Sequence, residues 1–209
     1  MSTFTNPVLR RGPDPYATYH DGWYYLLVTE QSRVGMRRTR DLEDIGKAEH
    51  RVLYVPGGDP DCMTCLWAPE LHRIHGVWTV LFTGNTADDN DRNRRLFTLT
   101  CSGDDPWTGA WQMNGRLRLP VDTYSIDATM IDDGTRQFCA FSTKRGLRGG
   151  WWQHLVIAEF TSPTTLGDRE TLLSCPDQDW ECDMQPTNEG PQVLWHGDDL
   201  WLAYSASAF

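Results

Sequence analysis

The chain has 209 residues, 39% of them hydrophobic, and a formal net charge of −10, which allows one sizeable core and leaves little room for a second domain. The negative balance disfavours nucleic acid and anionic lipid as partners, and no run of eighteen apolar residues offers a membrane span. Ten Trp, seven Tyr and seven Phe are the unusual feature, because that density favours strands and supplies flat faces on which sugar rings stack.

The chain opens Met1-Ser2-Thr3-Phe4-Thr5-Asn6-Pro7, without the basic and apolar regions of a secretory leader, so a cytoplasmic location is expected, or a secreted one if a leader has been removed. Short aromatic and β-branched runs then follow one another, closed by Gly, Asp and Asn turns. The first unit has a turn at Asp21-Gly22, a strand over 22–28, and later strands over Val34 to Thr39 and Val52 to Val55. A second turn at His75-Gly76 introduces a strand over 76–82, then Leu96 to Cys101 and Arg116 to Leu119. After Asp133-Gly134 come Gln137 to Ser142, Leu155 to Phe160 and Thr171 to Leu173; after His196-Gly197 comes Leu200 to Ser205.

The turn glycines stand at 22, 76, 134 and 197. A period near fifty residues with four strands in each repeat marks a propeller blade. The fold class expected is all-β, a β-propeller with about three and a half blades over residues 1–209. A fourth unit lacking outer strands leaves an apolar edge open, so a C-terminal truncation is also expected.

The acids follow the same repeat. Asp14 lies eight residues before Gly22, Glu189 eight before Gly197 and Asp127 seven before Gly134, while the second unit has Trp67-Ala68-Pro69-Glu70. First strands line a propeller's axis, so these carboxylates should converge there. Crowded carboxylates raise one another's pKa, which costs stability and suits general acid–base chemistry. Asp14, Asp127 and Glu189 are therefore the candidate catalytic residues, with Trp67 as a stacking wall, Glu70 close behind and Trp180 facing the pocket as candidate substrate-binding residues. Trp151-Trp152 are expected between blades or on the rim.

No metal site is expected. Cys62 and Cys65 form a CxxC with no second tight pair. His72, His75, His154 and His196 show no ligand spacing and read as surface or turn residues. The acidic run over 88–95 lacks the pattern of an EF-hand loop and reads as a solvated hairpin tip.

Several segments resemble glycoside hydrolase family 43. They are Asn6-Pro7-Val8-Leu9 leading to Asp14-Pro15, His20 to Tyr25, Leu66 to His72, Ser125-Ile126-Asp127-Ala128-Thr129, and Asn188-Glu189-Gly190-Pro191-Gln192. The resemblance implies a five-bladed propeller and an inverting hydrolase. In it Asp14 is the base that activates water, Glu189 the acid on the leaving oxygen, and Asp127 the group that tunes and orients that acid. It also implies a carbohydrate substrate, arabinose- or xylose-containing plant polysaccharides or oligosaccharides, with α-L-arabinofuranosidase favoured over β-xylosidase. No cofactor is required, although an axial calcium near a histidine of the absent blade is implied for the complete protein, and weak activity or none is expected without that blade. Two rivals remain: a retaining enzyme using Glu181 of Trp180-Glu181-Cys182, and a sugar-binding propeller without catalysis.

Overall fold

The computed structural model describes residues 6–147 and 150–207. Its strands are β1 (Tyr16–His20), β2 (Trp23–Leu27), β3 (Val34–Thr39), β4 (Glu49–Tyr54), β5 (Thr64–Ile74), β6 (Val77–Asn85), β7 (Arg95–Ser102), β8 (Ala110–Arg116), β9 (Ser125–Asp132), β10 (Gln137–Leu147), β11 (Gly150–Ser162), β12 (Thr165–Ser174), β13 (Asn188–His196) and β14 (Asp199–Ala206). Among the described residues they form three four-stranded sheets, β1–β4, β5–β8 and β9–β12, and a two-stranded sheet, β13–β14. Every pairing within them is antiparallel and sequential, the meander of a propeller blade.

Tight turns account for the first two hairpins. His20 pairs with Trp23, leaving Asp21 (φ 48°) and Gly22 (φ 77°) as the two turn residues, a conformation that matches the twist of the flanking strands. His75 and Gly76 repeat it. The third turn is longer, residues 133–136 between Asp132 and Gln137. The fourth comprises residues 197 and 198, since His196 itself pairs with Asp199.

The apolar runs of the second and third sheets are buried on both faces because each of these sheets lies between two others. On β6, Val80 and Phe82 face the first sheet and join Tyr25, Leu27, Val34, Met36, Leu71 and Phe97. Leu81, between them, joins Leu96, Ala128, Phe141, Val156 and Phe160 against the third sheet. The fourth sheet lies with β13 against β9 and β10. Its outer face is apolar and open, with Leu194 63% and Trp201 60% exposed.

The last strand of the second blade differs from expectation. β8 covers Ala110–Arg116, not Arg116 to Leu119. It is an outer strand whose residues alternate, with Trp111 and Met113 turned to the core, so it has no continuous apolar run to announce it. The segment after Arg116 instead crosses to the third sheet: Leu117 N–H donates to the Leu96 carbonyl, and Leu166 N–H to the Arg118 carbonyl, each at 2.8 Å.

Candidate active site

On the side of each inner strand away from its hairpin turn, a residue adopts left-handed backbone geometry: Asp14 (φ 50°), Ala68 (42°), Asp127 (53°) and Gly190 (58°), with a second on β5 at Cys65 (52°). The pairing register slips around Ala68, Asp127 and Gly190, between Trp67 and Glu70, Ala140 and Ser142, and Glu189 and Gln192. Such bulges bend a strand and re-aim its side chains. Glycine adopts this conformation freely, whereas aspartate and alanine do so at a cost the surrounding structure must meet.

Register counted from these bulges corrects the one read from the turn glycines. Asp14, Ala68 and Gly190 each lie six residues before the last paired residue of their hairpin, His20, Ile74 and His196. The counterpart of Asp14 and Asp127 in the fourth blade is therefore Gly190. Glu189 stands one place earlier, level with Trp67. Turn glycines misalign the units because the fourth turn places its glycine first, whereas the first two place it second.

The inner strands nevertheless meet. A cavity of about 260 Å³ is lined by Asp14 and Pro15 from the first blade, Ala68 and Glu70 from the second, Asp127 from the third, and Gly190 and Gln192 from the fourth. Thr29 anchors one wall: its hydroxyl donates to Asp14 Oδ2 at 2.5 Å and accepts from the Ala68 N–H at 2.7 Å. Opposite, the Gly190 N–H donates to Asp127 Oδ2 at 3.1 Å. The Asp127 carboxyl is pushed up to about 7, first by burial, then by the charges of Glu189 and Asp14.

Glu189 does not line this cavity but adjoins it. Burial raises its pKa and the negative charge of Asp14 adds to the shift, while the bond from Gln153 and the nearby Lys144 ammonium oppose them. Gln153 Nε2 donates to Glu189 Oε2 at 2.6 Å. The preceding residue is gripped from two sides. The Ser142 hydroxyl donates to the Asn188 carbonyl at 2.8 Å, and Asn188 Nδ2 donates to Ser174 Oγ at 2.7 Å and Glu181 Oε1 at 3.1 Å.

Glu181 itself is buried and accepts further bonds from the Asp177 and Gln178 N–H groups and the Tyr204 hydroxyl. Burial works against its charge, but these four donors together hold its pKa below the ordinary value. A carboxylate so satisfied is a poor proton donor, and its bond to Asn188 makes it a support for Glu189. That weighs against the retaining reading built on Trp180-Glu181-Cys182.

The candidate binding residues fare differently. Glu70 lines the cavity, yet both its oxygens are engaged: Oε1 accepts from Gln192 Nε2 and Oε2 from His72 Nε2 at 2.9 Å. Trp67 is beside the cavity, its indole N–H donating to Gln31 Oε1 at 2.6 Å and one face covered by the Arg94 guanidinium at 4.4 Å. Trp180, in a 3₁₀ turn over Asp179–Glu181, is 60% exposed and is not among the residues lining the cavity.

Two histidines expected at the surface are buried. His72 bridges Glu70 and the Tyr16 hydroxyl, which donates to Nδ1 at 3.2 Å; His154 packs within the third sheet, Nδ1 at 3.2 Å from the Trp152 carbonyl. Among the described residues no group of three or more His, Cys, Asp or Glu side chains is disposed to hold a metal, and no cysteine is in a disulfide. The described residues thus offer no set that fits the axial calcium. The 88–95 segment is more than a solvated tip: Asp91 pairs with Lys144 of the next blade at 2.9 Å, and Arg94 reaches Trp67.

Thr29, Gln153, Gln192 and Lys144 escaped the sequence reading, and Glu181 entered it only as a rival acid, not as the support of Asn188 that it is. Only Gln192 carried a readable signal, since alternation along β13 puts it two places beyond the bulge glycine. The others act through residues between 15 and 53 positions away or through a buried loop contact.

Comparison with known proteins gives a consistent result. The model of the family Glycosyl hydrolases family 43 matches residues 4–209. An extracellular exo-α-(1→5)-L-arabinofuranosidase from Streptomyces chartreusis is 36% identical over 98% of this chain and 63% of its own length. A second of that name from Streptomyces avermitilis is 33% identical over 99% of this chain and 43% of its own. The crystal structure of an α-L-arabinofuranosidase from Lactobacillus brevis superposes with a TM-score of 0.88 at 30% identity, covering 98% of this chain and 66% of that one. The chain thus spans between 43% and 66% of the length of these relatives. Among the described residues no helix is long and apolar enough to cross a membrane.

Proposed function

The chain belongs to glycosyl hydrolases family 43, and from that premise we propose that the cavity where its four inner strands meet hydrolyses an α-L-arabinofuranosidic bond with inversion. In this reading Asp14 takes a proton from a water molecule as that water attacks the anomeric carbon. Glu189 gives its proton to the glycosidic oxygen as the old C–O bond breaks. Exchange with solvent then restores both groups.

The environments support this division. Asp14 is at the solvent-exposed edge of the cavity, held by Thr29, where water has access. Burial and the charge of Asp14 raise the Glu189 pKa, the direction in which a general acid is tuned. Asp127, between them, contributes field and a fixed bond to the Gly190 N–H. The observation that carries the proposal is the convergence of Asp14, Asp127 and Glu189, where burial first and then the charges of Glu189 and Asp14 raise the Asp127 carboxyl to about 7.

The names of the Streptomyces relatives favour α-1,5-linked arabinose chains as substrate, and action outside the cell in place of the cytoplasmic location expected from the sequence. The test is turnover of 4-nitrophenyl α-L-arabinofuranoside against the β-D-xyloside, with the product anomer followed by NMR. Preference for the arabinoside with β-arabinose released first supports the reading. Preference for the xyloside, or retention of the anomer, removes it.

A further inference from the structure

The hairpin of β10 and β11 rises past Glu189 with an unbroken register: Ser142 pairs with Leu155, Lys144 with Gln153, and Gly146 with Trp151. Side chains on paired residues share a face, and that face recurs every second residue. Two members fix its direction, since Ser142 donates to the Asn188 carbonyl and Gln153 to the Glu189 carboxylate. Trp151 is therefore on the face turned toward Glu189, one step beyond Gln153, or about 7 Å further along the strand.

At that step the indole is 55% exposed. Its cross-strand neighbour Gly146 has no side chain, and among the described residues nothing stands within 4 Å of where a β-carbon would be. A large apolar ring thus stands in solvent beside a bare stretch of backbone, directly outward from the carboxyl that acts on the leaving oxygen. Lys144 and Gln153 close the level beneath it.

We propose that Trp151, with the open backbone at Gly146, forms a shelf for the sugar on the leaving-group side of the cleaved bond, and so determines preference for an oligosaccharide over a single sugar. The inference rests on the assignment of Glu189 as the acid, because the group that protonates the leaving oxygen marks the side on which the rest of the chain lies. A pyranose or furanose ring presents C–H bonds on one face, which pack on an indole while its hydroxyls stay in water.

Calorimetric titration of the chain with L-arabinose and with α-1,5-linked arabinotriose tests this without requiring turnover. Trp151→Ala is expected to weaken arabinotriose binding roughly tenfold, equivalent to about 1.4 kcal/mol, and to leave arabinose binding and the melting temperature unchanged. Trp151→Phe should restore most of the loss. Equal arabinotriose affinity in Trp151→Ala overturns the shelf, as does an equal loss for both sugars. Binding of neither sugar to the unmodified chain removes the hydrolase reading and the shelf with it, a result distinct from the other two.

Discussion

Replacing Asp127 by Asn should make the protein more stable, and more so as the pH rises. The carboxyl sits near 7 where its ordinary value is 3.8, chiefly through burial and the charges of Glu189 and Asp14. In the unfolded chain it ionises at the ordinary value. Between the two values the folded state therefore holds a proton that the unfolded state has released, so stability falls as pH rises. The slope is about 1.4 kcal/mol per pH unit, so the penalty, absent below pH 3.8, is complete above pH 7 at about 4 kcal/mol as an upper limit. Asn keeps the shape, tolerates the left-handed backbone and accepts the Gly190 N–H as the aspartate does, yet never ionises. Urea unfolding at pH 4 and pH 8 reads the difference. Asp127→Asn should match the parent within about 1 kcal/mol at pH 4 and exceed it by several at pH 8. An equal difference at both pH values, or a less stable variant at pH 8, would refute the claim that the carboxyl is held protonated by its neighbours.

Three other substitutions probe the supports. Glu189→Gln should lower turnover on arabinosides about 10² to 10⁴-fold, the usual worth of a general acid, while sugar affinity measured by calorimetry persists; undiminished turnover would move the acid elsewhere. Thr29→Val leaves the Ala68 N–H without its acceptor and should cost about 1–3 kcal/mol in denaturant unfolding, with Thr29→Ser recovering most of it. Glu181→Gln sets an amide against four donors and should lose about 2 kcal/mol or more at pH 7. Because the Glu181 pKa is depressed, that loss should shrink as acid protonates the parent carboxylate below its ordinary 4.5.

The architecture was legible because the repeat is written in local terms. Turn pairs such as Asp21-Gly22 and His75-Gly76 need positive φ, and doubly buried strands such as β6 and β7 read as continuous apolar runs. The outer strand β8 was misplaced for the converse reason, since half of it faces water. The three acids were also legible, but their register was not. A bulge adds a residue without any composition of its own, and Gly190 in the fourth blade gives no hint that it, not Glu189, matches Asp14. His72 and Glu181 look like ordinary polar loop or strand residues. Their partners Tyr16 and Tyr204 are brought near only by the fold.

The bulges stand at one end of the inner strands and the hairpin turns at the other, and this separates two kinds of evolutionary freedom. The third turn is two residues longer than the first, yet Asp127 still reaches the shared cavity. Insertions at residues 133–136 or at the neighbouring turns lengthen the far rim and leave the reacting groups where they are, so peptides or reporter domains are best grafted there. A single residue added or removed between Glu189 and Gln192 reverses which side of the strand carries the acid. Drift in length is cheap on one face of the molecule and forbidden on the other.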